Sequence, residues 1–141
     1  MKKHIIAIEQ VQRRFTKRVA GLFNLPYSSR LHFLNLPSMW WRFTRGSLIT
    51  TYKILRHNFG GPSTQSLFRL AQYTATRGHP WKLDRQHLHL ERTKNFFFNR
   101  IIPIWNSLPQ DVISSPTVNL FKNKLDLHID LTSDLKFKFF E

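Results

Sequence analysis

The chain has 141 residues, of which 41% are hydrophobic and thirteen are Phe, enough for a small folded domain rather than a disordered tail. Its 22 Lys and Arg against 8 Asp and Glu give a formal net charge of +14, a field that attracts polyanions. There is no cysteine, which excludes disulfides, thiolate zinc sites and cysteine nucleophiles. The charge is uneven: within residues 1–70 the only acid is Glu9, whereas residues 71–141 hold most of the carboxylates.

The opening "MKKHIIAIEQ" starts like a signal peptide, but its apolar run stops at Glu9-Gln10. That is too short for a secretory core, no segment has the length and apolarity of a membrane helix, and an intracellular location, nuclear or cytoplasmic, is expected. Residues 4–22 predict an amphipathic helix. Ile8, Val11, Phe15, Val19 and Leu22 recur at spacings of three and four and form its expected core face. Arg13, Arg14 and Lys17 project elsewhere, Arg18 lies at the border, and Gly21 and Pro26 end the helix.

Residues 27–35 predict a short helix carrying Leu31 and Leu34. After the break at Pro37, Ser38 is the expected N-cap of a long helix over 38–56. Trp41, Leu48, Tyr52 and Leu55 make its apolar stripe, flanked by Arg42, Arg45, Lys53 and Arg56. Gly60-Gly61-Pro62 is the strongest break in the chain. Residues 60–92 read as an irregular linker. Leu83, Leu88 and Leu90 stand between polar residues, and an extended segment or loose hairpin is expected there. Residues 93–107 predict a further helix with Phe97, Ile101, Ile104, Trp105 and Leu108 inward, and Pro103 is expected to kink it or end it early. Ser115 with Pro116 predicts the start of a last helix, with Val118, Phe121 and Leu125 buried. The tail over 132–141 is expected to fray. The expected fold is mainly α: a basic helical part over 1–59, the irregular middle over 60–92 with room for a short β-hairpin, a helical part over 93–131, and the tail.

Catalytic chemistry is not in evidence. Polymerases and nucleases need carboxylates converging on metal ions, and Asp126, Asp130 and Asp134 read as a solvated helix face. His87 and His89 alternate as on a strand, but no third ligand accompanies them. There is no P-loop lysine after Gly60-Gly61 and no nucleophile elbow. No catalytic residue, metal site or cofactor is assigned. What remains is basic surface interleaved with aromatics: Arg13, Arg14, Lys17, Arg18, Arg42, Arg45, Lys53 and Arg56, with Trp40, Trp41 and Tyr52 nearby. The cations suit phosphate contacts, while the rings are expected chiefly in the core.

Six stretches in register, "VQRRFTKRVAGL", "LPYSSRLHFLNLPS", "RGSLITTYKIL", "TRGH", "KNFFFNRIIPIWNSLP" and "SPTVNLFKNKLD", together resemble the C-terminal part of the reverse transcriptase polyprotein of non-LTR retrotransposons of the jockey and chicken-repeat kind. The resemblance runs from about Ile6 to about Leu127. It implies a piece of an RNA-directed DNA polymerase that follows the catalytic palm and thumb, brings no catalytic carboxylate of its own, and is inactive alone. The partners it implies are nucleic acid, RNA or DNA without sequence preference, and the rest of a reverse transcriptase, with no membrane. Alternatives are a scaffold segment docking on a polymerase thumb, or a translated relic. The chain departs from the family where Tyr27-Ser28-Ser29-Arg30-Leu31 replaces a run with two acids, where Trp40 and Trp41 replace an acid and a Tyr, where Ser47 replaces an Asp, and at Pro103.

Overall fold

The computed structural model describes residues 2–57, 59–66, 68–72, 79–84 and 97–132. The fold is mainly helical. In chain order the helices are α1 (Lys2–Lys17), α2 (Tyr27–Phe33), α3 (Met39–His57), α4 (Pro62–Gln65), α5 (Phe97–Asn106), α6 (Gln110–Ile113) and α7 (Val118–Thr132). Among the described residues there is no strand. The irregular middle carries one antiparallel bridge, Leu70 with Leu83, closed by Ala71 N–H to the Lys82 carbonyl at 2.8 Å and Asp84 N–H to the Arg69 carbonyl at 2.7 Å. Leu88 and Leu90, the His87–His89 pair, residues 76–78 and most of the tail lie outside the described residues.

The chain divides into two compact units, residues 1–45 with 129–141, and residues 46–128. In the first unit α1 packs on α2. The face that α1 buries is not its most apolar one. Ile5, Glu9, Gln12 and Thr16, spaced four, three and four, are buried. Ile8, Val11 and Phe15, expected inside, are 42%, 65% and 69% exposed, and Val19 is half-buried. At ~100° per residue the two stripes lie about a quarter turn apart. The buried stripe prevails because its polar groups find partners. The Glu9 carboxylate accepts from the Tyr27 hydroxyl and, at 2.8 Å, from Met39 N–H. Gln12 Nε2 donates to the Pro37 carbonyl at 3.2 Å. Arg30 is buried, and its guanidinium donates to Thr16 Oγ1, the Leu25 carbonyl and the Arg13 carbonyl. A buried polar group with satisfied hydrogen bonds is tolerated, whereas one without is costly. Around this network Leu22, Leu31 and Trp41 supply the apolar part.

Ser38 caps α3 as expected, its Oγ accepting Trp41 N–H at 3.2 Å. In the second unit Leu48, Tyr52 and Ile54 of α3 are buried, as are Ile101, Ile102 and Trp105 of α5, Val112 and Ile113 of α6, and Phe121 and Leu125 of α7. Leu55 of the expected stripe is only half-buried. Tyr52 stacks on Phe121 with ring centroids 4.2 Å apart, and its hydroxyl donates to the Ser115 carbonyl. Pro103 does not end α5 at once: the helix runs on to Asn106, and Ser107 N–H reaches the Pro103 carbonyl at 3.2 Å. The last helix starts later than expected. Thr117, not Ser115, caps it, its Oγ1 accepting Leu120 N–H at 3.2 Å, while Ser115 Oγ donates to the Val112 carbonyl at 2.7 Å. Ser115 is fully buried and committed to the preceding turn, so Thr117 is left to meet the free N–H groups.

Candidate nucleic-acid interface

The basic residues fall into two kinds. Arg13 turns inward: its guanidinium carbon lies 4.8 Å from the centre of the Tyr27 ring, and the residue is half-buried. In the second unit Arg56 stacks over Trp81 at 4.9 Å and Lys53 lies 5.7 Å from the centre of Phe59. These three cations cover rings of their own unit, which is a packing role as much as a binding one. Arg42 is exposed and Arg45 half-buried on the part of α3 that belongs to the first unit.

Arg14, Lys17 and Arg18 are exposed and converge. They line a cavity of about 560 Å³ together with Val19, Ala20, Gly21 and Phe23. Local sequence makes this hollow. The helix ends at Lys17, and the chain then winds through tight turns: Arg18 N–H to the Phe15 carbonyl at 2.9 Å, Leu22 N–H to the Val19 carbonyl at 3.1 Å and Leu25 N–H to the Leu22 carbonyl at 3.1 Å. Gly21 holds φ +79°, a left-handed conformation that a glycine takes without strain. Leu22, 3% exposed, anchors the turn in the core, which leaves its neighbours Gly21 and Phe23 outside. The predicted helix over 4–22 therefore stops short, and its last residues become a wall of the cavity. Lys17 Nζ lies 4.8 Å from the centre of the Phe23 ring, and Phe23 is 64% exposed.

The electrostatics favour an anion here. The one carboxylate within residues 1–70, Glu9, is buried against Tyr27 and Met39 and does not reach solvent. The negative end of the α1 dipole amounts to roughly half a charge and opposes an anion, but three full cations outweigh it. The rings divide much as expected: Trp41 and Tyr52 are core and Trp40 is half-buried. Phe23, the exposed aromatic that lines this cavity, is not singled out by the sequence. Its place just after Gly21-Leu22 is a turn signal, which the helical spacing through Leu22 masks.

In the second unit a buried group and a half-buried one are perturbed. Burial pushes the His79 imidazole below its usual range, with Lys82 adding to the effect and the hydrogen bond to the Trp105 carbonyl opposing it. Burial also lowers the Arg100 guanidinium, which donates to Ser47 Oγ at 3.3 Å. Among the described residues no three His, Asp or Glu side chains cluster in a way that could hold a metal ion. No helix among them is long and apolar enough to cross a membrane. No protein-family model, no curated protein and no solved structure matches the chain.

Proposed function

We propose that this chain is a C-terminal, non-catalytic portion of a non-LTR retrotransposon reverse transcriptase that binds nucleic acid through phosphate contacts, without sequence preference. The observation that carries the reading is the convergence of Arg14, Lys17 and Arg18 on one open cavity while Glu9, the one carboxylate within residues 1–70, is buried. The six stretches that resemble the family support it, and Arg42, exposed on α3, adds to the positive surface of the same unit. Arg13 and Lys53 contribute less, because each is half-buried over a ring.

The test is binding of single-stranded RNA and duplex DNA over a series of salt concentrations. Phosphate contacts of this kind give a logarithmic affinity that falls linearly with the logarithm of salt, with a slope of about 0.7 to 0.9 per phosphate engaged. Reversing Arg14, Lys17 and Arg18 together to Glu should weaken binding sharply and leave the fold intact, since all three are exposed. Arg13 is left out of that variant because it packs on Tyr27. Absence of binding at low salt, or binding indifferent to the triple reversal, refutes the reading.

A second reading, a scaffold segment that docks on a polymerase thumb, is favoured by one observation: the exposed stripe Ile8, Val11 and Phe15 on α1. Co-purification with a full-length element protein that survives nuclease treatment, and is lost on replacing Val11 and Phe15 with Ser, would support it over nucleic-acid binding.

A further inference from the structure

The geometry points to a site for one unpaired nucleotide of a single strand in the cavity between the end of α1 and Phe23, with the base stacked on Phe23 and the flanking phosphates held by Arg14, Lys17 and Arg18. The inference rests on the nucleic-acid reading above and narrows it to single-stranded substrate. Three observations combine. The cavity, about 560 Å³, lies within the range of specific small-ligand sites. Its lining combines three cations, Arg14, Lys17 and Arg18, with Val19, Ala20, Gly21 and Phe23. That combination matches a nucleotide, which is a flat apolar base joined to an anion. A bare phosphate would have no use for the apolar wall, and an apolar ligand none for the cations.

The third observation is the ring itself. Phe23 is 64% exposed, so folding does not bury it. Lys17 Nζ sits over the ring, 4.8 Å from its centre, which places an ammonium group beside the stacking platform at phosphate reach. Single-strand binders use this pairing of aromatic platform and cation, because every base offers a π-face and stacking needs no sequence. A duplex cannot use the platform: its bases are stacked on one another, and only its phosphates could meet the three cations. The open space around Gly21, where an added Cβ would meet nothing within 4 Å, leaves the apolar wall free of obstruction.

The experiment compares a short oligouridylate with the blunt duplex of equal length, by fluorescence anisotropy at two salt concentrations, for the intact chain, F23A, F23W and the R14E/K17E/R18E variant. The inference expects tighter binding of the single strand. F23A should weaken single-strand binding about 5- to 150-fold, leave duplex binding unchanged and leave the salt slope unchanged, and F23W should restore the loss. The triple reversal should weaken both ligands and flatten the salt slope by about 2 for the single strand, at roughly 0.7 per phosphate. If F23A binds the single strand as well as the intact chain does, or loses duplex and single strand equally, the nucleotide site is refuted. In either case a triple reversal that still weakens binding leaves the nucleic-acid reading standing. If neither ligand binds at low salt, both readings fall together.

Discussion

Removing the Glu9 carboxylate tests the most consequential packing choice in the first unit. Glu9 is 3% exposed and accepts from the Tyr27 hydroxyl and from Met39 N–H, so Glu9→Ala leaves two donors of the interior without a charged acceptor. Hydrogen bonds to charged groups contribute about 1.5–3 kcal/mol each, and relief of the carboxylate's own desolvation returns part of that, so the net cost is on the order of 3 kcal/mol. Such a loss is a large fraction of the 5–15 kcal/mol typical of a folded domain. Urea denaturation followed by tryptophan fluorescence and circular dichroism should show the midpoint falling by roughly 1–3 M at unchanged slope. Glu9→Gln, which keeps one acceptor oxygen, should lose about half as much. Val11→Ala and Phe15→Ala, on the exposed stripe, should change stability by no more than about 0.5 kcal/mol. The reverse order, with Phe15→Ala costly and Glu9→Ala neutral, would refute the assignment of the buried face and restore the apolar stripe as the core side of α1.

The same pair gives a pH dependence. Burial, then the hydrogen bond to Glu9 and the Glu9 charge, raise the Tyr27 hydroxyl above its ordinary value of 10.0. The unfolded chain therefore releases this proton first, so the contribution is complete below about pH 10 and is lost as pH rises above it. Tyr27→Phe should flatten that alkaline fall in a stability–pH titration. His79 acts at the other end: its imidazole is 2% exposed, Nε2 lies 3.2 Å from the Trp105 carbonyl, and Nδ1 has no hydrogen-bond partner among the described residues. With its folded pKa lowered, its contribution is present above about pH 6.5 and is lost as pH falls, and His79→Gln should reduce the acid slope of the same titration. Phe121→Ala, which removes a fully buried ring stacked on Tyr52, should cost about 3–5 kcal/mol by denaturant melting, whereas Leu127→Ala on the exposed side of the same helix should stay within about 0.5 kcal/mol.

By itself the sequence determined the helical class, the break at Gly60-Gly61-Pro62, the Ser38 cap and the apolar side of the last helix. These follow from local rules: spacing, capping oxygens and turn residues act over a few positions and need no distant partner. It also determined that the first half is a field of positive charge with one acid in it. Only the tertiary structure decided which side of α1 is inside. Apolar periodicity favoured Ile8, Val11 and Phe15, but a helix buries the face whose groups are satisfied by what it packs against. Tyr27, Arg30, Pro37 and Met39, from 14 to 30 residues away along the chain, satisfy Glu9, Gln12 and Thr16. Tertiary structure also sorted eight equivalent-looking cations. Arg13 and Lys53 are half-buried over rings of their own unit and Arg56 lies over Trp81, while Arg14, Lys17 and Arg18 stay exposed, Lys17 over the exposed Phe23, around a hollow that exists because the helix stops at Lys17 and Leu22 pulls the chain inward. Charge is a property of composition; convergence of charge depends on where the backbone turns.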